Sequence, residues 1–409
     1  MEANPAADAL APVQAAPGQK AERTAGKRIH FAGFTGVRAI LSLVMLVYHI
    51  EIVKHALGLP SRLHVPFVDN CGQEAVTCFF VLSGFLITYL LFEELARTGT
   101  IAVRDFYLRR ILRLWPLYYA VLLLGFLVWP FLWPFNQSEM TQLVDASAQT
   151  YAVHGALFVT MLANVVYVLP NLSYFTTHIW SIGVEEQFYL FWPWLVLKAK
   201  NYVVACLAII GCYLALKLGV ILIKRTYTAG TTEYELWQSI FQFISITRID
   251  CMAIGGLAAW WFRFHKQRWA WLASPGMVWG ALGVTFGMLI FRWYVPYVQH
   301  ELKAVCFAIV FMGMASRPQN FAWLEHRVIR YLGSLGYGFY MLHTLAIGFT
   351  LLVIKMYLVP RLGWSYGLDA LAYVAATALS FGLAALSFTY LESYFMRFKE
   401  RFARVKSAV

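Results

Sequence analysis

Two ionisable residues in the first apolar segment lie on one helical face and could act on a substrate together. Arg38 and His49 are eleven positions apart, and eleven steps of about 100° bring the second side chain back over the first. At about 1.5 Å per residue, their α-carbons are about 16 Å apart. An imidazole can accept a proton from a hydroxyl group, and a guanidinium can bind an anion. A snorkelling arginine and an interfacial histidine would give the same spacing.

A second polar group opens the apolar segment at residues 178–190. If this segment is helical, His178, Ser181 and Glu185 share one face, because they are spaced by three and four residues. Adjacent carboxylates are rarely a packing choice inside a membrane span. A carboxylate next to an imidazole can orient the ring or stabilise its charge, so Glu185 is a candidate partner for a catalytic histidine. The alternative is a water-exposed helix end.

A basic stretch at residues 104–113 precedes the third apolar segment. Within it, Arg110 and Arg113 are three residues apart, and the planar guanidinium is the side chain best suited to bidentate contacts with phosphate. This stretch is therefore a candidate binding site for a phosphorylated substrate. Ordinary positive charge at the cytoplasmic membrane face would give the same composition.

Three further ionisable residues lie in the middle of apolar segments. Arg248 and Asp250 are two residues apart, and residues at that spacing do not face each other on a helix. Each is therefore expected to have a partner on another helix, either in a structural ion pair or in a functional site. His343 fits a hydrogen-bonded packing role as well as a site role. Glu51, just beyond His49, is expected to lie in water.

The composition indicates that these residues belong to a membrane protein. Of the 409 residues, 60% are hydrophobic and 13% are charged, whereas soluble domains are about a quarter charged. Apolar stretches such as residues 202–223 match the thickness of a hydrocarbon core. The net charge of +12 favours positive-inside topology over nucleic-acid binding. The cysteines show no metal-ligand spacing, so no metal site is expected.

The positions of the basic residues predict an all-α domain of about ten membrane spans, with both termini in the cytoplasm. Residues 1–30 are predicted to be a disordered cytoplasmic tail, residues 31–396 the transmembrane domain and residues 397–409 a basic cytoplasmic tail. Residues 154–169 are predicted to be re-entrant or interfacial, because a crossing there would place Lys198 and Lys200 outside. A count of eleven spans is the alternative.

Six motifs occur in order, and together they resemble the acyltransferase 3 family of membrane O-acyltransferases over about residues 30–395. Each motif alone is modest, but their order makes the resemblance specific. The motifs are Arg38-x10-His49 and residues 79–87, 107–116, 180–190, 247–255 and 333–343. Two departures stand out. Gly336 occupies a position where many members have serine, and the proline that many members place two residues after Glu392 is absent.

The resemblance implies transfer of an acyl group from cytoplasmic acyl-CoA, often acetyl-CoA, to a hydroxyl of an extracytoplasmic glycan or lipid-linked sugar at a cell's inner membrane. It marks Arg38 and His49 as the family's Arg/Lys-x10-His pair. It also marks Arg110 and Arg113 as its Arg-x-x-Arg pair, and Glu185 as the carboxylate of its Trp-Ser-x-x-x-Glu motif. Acyl-CoA is implied as a co-substrate, with no bound cofactor, and membrane lipids are the other expected partner.

Two other functions fit part of the pattern. A proton- or solute-coupled transporter would also place His, Arg and Glu inside the membrane, but the sequence shows no inverted repeat and no paired broken helices. A lipid-linked glycosyltransferase could use Glu51 as its acid, but the outer loops look too short to build a sugar site. For the transferase, direct transfer and an acyl-histidine intermediate both remain open.

Overall fold

The computed structural model describes residues 29–128, 148–169, 174–268, 270–293, 295 and 297–405. These residues are folded into helices and the turns that join them, which confirms the prediction of an all-α transmembrane fold. Apart from Ile29 and His30, the predicted N-terminal tail lies outside the described residues. Residues 406–409 of the predicted C-terminal tail lie outside them too.

In the described chain, the helices follow one another with no β-strand between them. Short π-helical segments extend three of them, at Leu124–Val128, Ile354–Leu358 and Phe388–Glu392. The α-helices are α1 (Phe34–Ala56), α2 (Pro66–Thr98), α3 (Val103–Leu123), α4 (Ala148–Val159), α5 (Ala163–Val166), α6 (Tyr174–Thr177), α7 (Trp180–Lys198), α8 (Tyr202–Lys224), α9 (Thr232–Thr247), α10 (Ile249–Phe264), α11 (Pro275–Ile290), α12 (Gln299–Ser316), α13 (Arg327–Ser334), α14 (Gly336–Val353), α15 (Val359–Leu362), α16 (Tyr366–Ser387) and α17 (Ser393–Lys399).

Seven helical stretches of the described chain are long and apolar enough to cross a membrane. They are Phe34–Ala56, Pro66–Thr98, Val103–Val128, Tyr202–Lys224, Thr232–Phe264, Gly336–Leu362 and Tyr366–Phe402. The three other predicted spans coincide with α7, α11 and α12, which fall short in length or in apolarity. The count of ten spans therefore stays a prediction.

The segment predicted to be re-entrant contains two short helices instead of one long helix. Helix α4 ends at Val159, Met161 adopts the left-handed conformation at φ 62°, and α5 begins at Ala163. The twelve residues of α4 span about 18 Å, which is less than the roughly 30 Å of a hydrocarbon core. Helix α5 then packs against α7, so this segment forms a wall beside the start of α7.

Side-chain caps fix where several helices begin. Asn201, Thr231, Ser274 and Ser365 each accept a hydrogen bond from the backbone amide three residues later, at the starts of α8, α9, α11 and α16. Such a cap satisfies one of the amides that have no partner inside the helix. These four helix starts are therefore encoded locally.

Helix α1 lies between the two apolar cores of the domain. Its residues pack with α2 and, through Phe34 and Phe311, with α12 on one side, and with α14 and α16 on the other. On the first side, α2 and α10 cross so closely that a methyl group at Gly84 would overlap the Met252 carbonyl, and one at Gly255 would overlap the Val81 carbonyl. Glycine at these two motif positions therefore serves helix packing.

Candidate active site

A cavity of about 540 Å³ opens where α1, α2, α3, α7 and α14 meet the C-terminal segment. This volume lies within the range of ordinary ligand pockets, about 300–1,000 Å³. We call it the arginine cavity. Six basic and three acidic side chains line it: Arg38, Arg109, Arg110, Arg113, Arg330 and Lys399, and Glu94, Glu185 and Glu400.

The basic side chains of the arginine cavity are only partly neutralised. Arg109 forms an ion pair with Glu94 at 3.3 Å and donates to the Phe402 carbonyl at 2.6 Å. Within the described residues, no carboxylate lies within 4.0 Å of the guanidinium groups of Arg38, Arg110 or Arg113. The Arg110 guanidinium instead lies over the Tyr189 ring, 5.1 Å from its centroid. The cavity therefore holds surplus positive charge, and an anionic ligand would neutralise it.

Glu185 lies in the arginine cavity, but its hydrogen bonds differ from the predicted ones. Its carboxylate accepts hydrogen bonds from the Ser83 hydroxyl and from the Tyr189 hydroxyl, both at 2.9 Å. The charges of Arg38 and Arg110 act on it as well. The described contacts of this carboxylate thus connect it to arginines, whereas the sequence suggested contact with an imidazole.

Two hydroxyl groups, those of Ser181 and Tyr340, line the arginine cavity on the side that faces three imidazoles. The hydroxyls of Ser181 and Tyr340 are 2.6 Å apart, and the Tyr340 hydroxyl donates to the His178 carbonyl at 2.6 Å. Both residues line the cavity. The Tyr340 ring lies 5.4 Å from the His178 ring and 5.7 Å from the His343 ring, so it lies between the cavity and a group of imidazoles.

His49, His178 and His343 form that group, which we call the histidine trio. The ring of His343 lies 4.7 Å from that of His49 and 5.1 Å from that of His178. All three residues are buried. Within the described ranges, no group of three such residues is arranged to hold a metal ion. The trio therefore brings together three histidines that are distant in the sequence, behind the Tyr340 ring that lines the cavity.

Carbonyl contacts assign the tautomers of two of these rings. The Nδ1 atom of His49 lies 2.9 Å from the Met45 carbonyl, and the Nδ1 atom of His343 lies 2.7 Å from the Tyr340 carbonyl. A carbonyl oxygen only accepts, so both Nδ1 atoms carry hydrogen. The Nε2 atom of His343 lies 3.2 Å from Nδ1 of His49, so the single hydrogen on that Nδ1 atom can be shared between the Met45 carbonyl and His343. In the neutral His49 ring, Nε2 is the nitrogen that can take up a proton.

His178 lies in the turn before α7, outside the membrane-spanning helices. The predicted shared face is therefore divided, because Ser181 and Glu185 line the arginine cavity and His178 joins the trio.

Arg248 and Asp250 lie in another cluster and have partners on other helices, as the sequence predicted. Arg248 donates to the Gln73 side-chain oxygen at 2.6 Å and to the Thr77 hydroxyl at 2.9 Å. Asp250 lies 3.8 Å from Lys217 of α8. Arg248 adopts the left-handed conformation at φ 36° and separates α9 from α10. These contacts support the structural role that the sequence left open.

The expectation that Glu51 lies in water is wrong. Glu51 is 0% exposed and accepts hydrogen bonds from Lys54 at 2.7 Å and from the Tyr373 hydroxyl at 2.5 Å. Asp369 of α16 bonds both Lys54 and Arg62 at 2.6 Å. The hydrogen bond that Arg62 donates to Asp369 raises the pKa of the Arg62 guanidinium. We call Glu51, Lys54, Arg62 and Asp369 the charge quartet; it fastens the end of α1 to α16.

Sequence reasoning missed several residues of the arginine cavity, among them Tyr340 and Lys399. Tyr340 lies three positions before His343, so the helical spacing of the two was available as a signal. Lys399 lies in the C-terminal segment, and its charge interacts with those of Arg38, Arg110 and Arg113. It looked like one more basic residue of a tail, and only the packing of α17 against α3 brings it to the cavity.

Comparison with known proteins assigns the chain to a family. A family model described as an acyltransferase domain matches residues 31–389. Peptidoglycan O-acetyltransferase OatA from Listeria monocytogenes is 24% identical over 406 residues, which cover 91% of this chain and 58% of the relative. O-acetyltransferase OatA from Staphylococcus aureus is 32% identical over 175 residues, which cover 41% of this chain and 25% of that relative. No solved structure matches. The chain thus spans less than two thirds of the length of these relatives.

Proposed function

The chain belongs to the acyltransferase family whose model spans residues 31–389, and from this premise we propose that it is a membrane O-acyltransferase. The acyl group is acetyl, the donor is acetyl-CoA, and the acceptor is a hydroxyl of an extracytoplasmic glycan. The names of the relatives support acetyl as the group and a glycan as the acceptor. The observation that carries the proposal is the arginine cavity with its surplus positive charge, which the ring of Tyr340 separates from the histidine trio.

The arginine cavity suits the anionic part of the donor. Arg38, Arg110 and Arg113 present guanidinium groups that can form bidentate hydrogen bonds with phosphate oxygens. The donor's thioester arm would then extend between Glu185 and the ring of Tyr340 toward the histidine trio. Because Arg38 and His49 lie on one face of α1, the same helix would contact both ends of this arm.

His49 is the proposed general base. Its Nε2 atom takes the proton from the acceptor hydroxyl, and the hydroxyl oxygen attacks the thioester carbonyl carbon. The carbon–sulfur bond then breaks, and the leaving thiolate takes up the proton, so the products are an ester and free CoA thiol. The Met45 carbonyl accepts from Nδ1 of His49 and holds the ring in the required tautomer. General-base catalysis of this kind contributes about 10²–10⁴ in rate.

The proposed orientation places the arginine cavity on the cytoplasmic side and both termini in the cytoplasm, in an inner membrane. The basic residues of α3 and of the C-terminal segment meet at the cavity mouth, where Arg404 pairs with Asp105 at 3.2 Å. This agrees with the positive-inside rule. A reporter fused after Lys200 should read cytoplasmic, and an outside reading would contradict this orientation.

Transfer by the purified protein tests the proposal. With labelled acetyl-CoA and a glycan fragment, the wild-type protein should produce labelled glycan. His49→Ala should lose transfer by at least about 100-fold and still bind acetyl-CoA. His55→Ala is the matched control, because His55 is exposed on the same helix. Transfer by His49→Ala at the wild-type rate would rule out this base. A wild-type protein that moves protons or solutes without consuming acetyl-CoA would support the transporter instead.

A further inference from the structure

Ser42 has a buried hydroxyl group that makes no hydrogen bond within the described chain. The residue lies on α1, one turn beyond Arg38, and is 3% exposed. A serine inside a helix that does not face solvent can donate to the carbonyl four residues earlier. Ser380 of α16 does so, with its hydroxyl 2.6 Å from the Ala376 carbonyl. The Ser42 hydroxyl has the Arg38 carbonyl at the equivalent position but does not bond to it, so its donor is available to another group.

The surroundings of Ser42 place this hydroxyl directly behind the wall of the arginine cavity. A methyl group added to Gly336 would lie 3.7 Å from the Ser42 oxygen and 3.9 Å from Cβ of Arg38. Both Gly336 and Arg38 line the cavity. The absence of a side chain at Gly336 therefore leaves room for about one methyl group between α14 and the hydroxyl.

Ser42 also lies on the face of α1 that runs from Arg38 to His49. It is four residues after Arg38 and seven before His49, and both spacings keep side chains on one helical face. Side chains on a helix tilt toward its N-terminus, so the His49 ring points back toward Ser42. A donor arm held at Arg38 and reacting at His49 would pass the hydroxyl of Ser42.

We propose that the Ser42 hydroxyl donates a hydrogen bond to the carbonyl oxygen of the bound thioester, a role that rests on the proposed acyl transfer. When the acceptor oxygen attacks, this carbonyl oxygen gains negative charge until the carbon–sulfur bond breaks. A donor aimed at it stabilises the transition state more than the bound substrate. Contact with this buried hydroxyl requires the Arg38 side chain to move toward the donor's phosphates.

The substitution Ser42→Ala tests this role. Loss of one such donor lowers kcat by about 10²–10³-fold, whereas the Kd for acetyl-CoA, measured separately, should stay within about twofold of the wild-type value. Ser380→Ala is the matched control, because that buried hydroxyl already has a carbonyl partner; its kcat should match the wild-type value. An unchanged kcat in Ser42→Ala would overturn the proposal. A loss of acetyl-CoA binding as large as the loss of kcat would overturn it too.

A rescue experiment provides a result that a packing role would not give. The gap at Gly336 can hold a small side chain at ordinary contact distance, so Gly336→Ser would place a hydroxyl beside the position that Ser42 leaves. The double variant Ser42→Ala/Gly336→Ser should recover at least about tenfold of the lost kcat, and Ser42→Ala/Gly336→Ala should recover none. Equal recovery in both double variants would indicate packing and overturn the proposal.

These results separate the failure of the hydroxyl's role from failure of the function. If the wild-type protein does not transfer acetyl groups from acetyl-CoA, then the proposed function fails before any variant is compared. If the wild-type protein and Ser380→Ala transfer acetyl groups and Ser42→Ala does so equally fast, only the role of Ser42 fails.

Discussion

The charged groups at the two ends of α1 differ in whether neighbouring side chains neutralise their charge. Near its start, Arg38 faces a cavity lined by six basic and three acidic side chains. Near its end, Lys54 belongs to the charge quartet, where each cation lies within 4.0 Å of both carboxylates. The quartet satisfies its own charges, and the cavity does not. A buried charge whose partners are all present therefore indicates a structural role, whereas surplus charge facing a cavity indicates a ligand-binding site.

The largest effect should follow from breaking the charge quartet. Lys54→Met leaves Glu51 and Asp369 buried with only Arg62 to neutralise them. Removing one partner of a buried ion pair costs about 3–5 kcal/mol, and chemical unfolding in detergent would measure this loss of stability. Lys355→Met is the matched control, because Lys355 is exposed, and a surface change of this kind shifts stability by about 0.5 kcal/mol or less. Equal stability of the two variants would contradict a structural role for the quartet.

The next effect concerns the arginine cavity and should appear in binding, without a loss of stability. Arg113→Ala removes a cation that lacks a described carboxylate partner, so folding should be unaffected or slightly favoured. Binding of acetyl-CoA should weaken by about 10–100-fold, because a hydrogen bond to a charged group contributes about 1.5–3 kcal/mol. Calorimetry would measure the Kd. An unchanged Kd in both Arg113→Ala and Arg110→Ala would reduce these arginines to topological charge.

Salt should also distinguish the two regions. Raising the ionic strength from about 0.1 M to about 1 M shortens the screening length from about 10 Å to about 3 Å. Acetyl-CoA binding should weaken several-fold over this range, because the cavity is open, and the buried quartet should keep its contribution to stability. The Kd of Arg113→Ala should depend less on salt than that of the wild-type protein. Equal salt dependence in both would argue against contact between Arg113 and the donor.

The smallest effect should come from increasing the surplus positive charge of the arginine cavity. Glu185→Gln preserves a side-chain oxygen for Ser83 and Tyr189 but removes one negative charge from the arginine cavity. Acetyl-CoA should then bind up to about fivefold more tightly, since an exposed or partly exposed charge pair contributes about 1 kcal/mol or less. Titration of the purified variant would measure this change. Weaker binding would mean that Glu185 contacts the donor favourably.

The sequence was sufficient for features that depend on local spacing. Apolar lengths predicted the helical membrane class, and the eleven-residue spacing of Arg38 and His49 predicted one shared face of α1. The partners of Arg248 and Asp250 on other helices also followed from helical geometry. Each of these inferences needs only the regular repeat of one helix.

The rest depends on packing between distant helices. His178 and His343 reach His49 only because the turn before α7 and the helix α14 both pack beside α1. Glu51 was expected in water because it lies near a span end, although Lys54 at the third position after it was a local signal for a pair. The count of ten spans stays a prediction because α7, α11 and α12 fall short in length or in apolarity.

The fixed geometry of α1 also sets the distance between the proposed phosphate-binding site and the proposed base. The charge quartet anchors one end, the arginine cavity occupies the other, and the distance of about 16 Å between the α-carbons of Arg38 and His49 cannot change without breaking the helix. A donor with a shortened linker between its phosphates and its thioester would still bind the arginines, but its carbonyl would stop short of the imidazole. Such a compound would inhibit the protein without reacting. Selection among acyl donors would then depend on the length of the linker as well as on the identity of the acyl group.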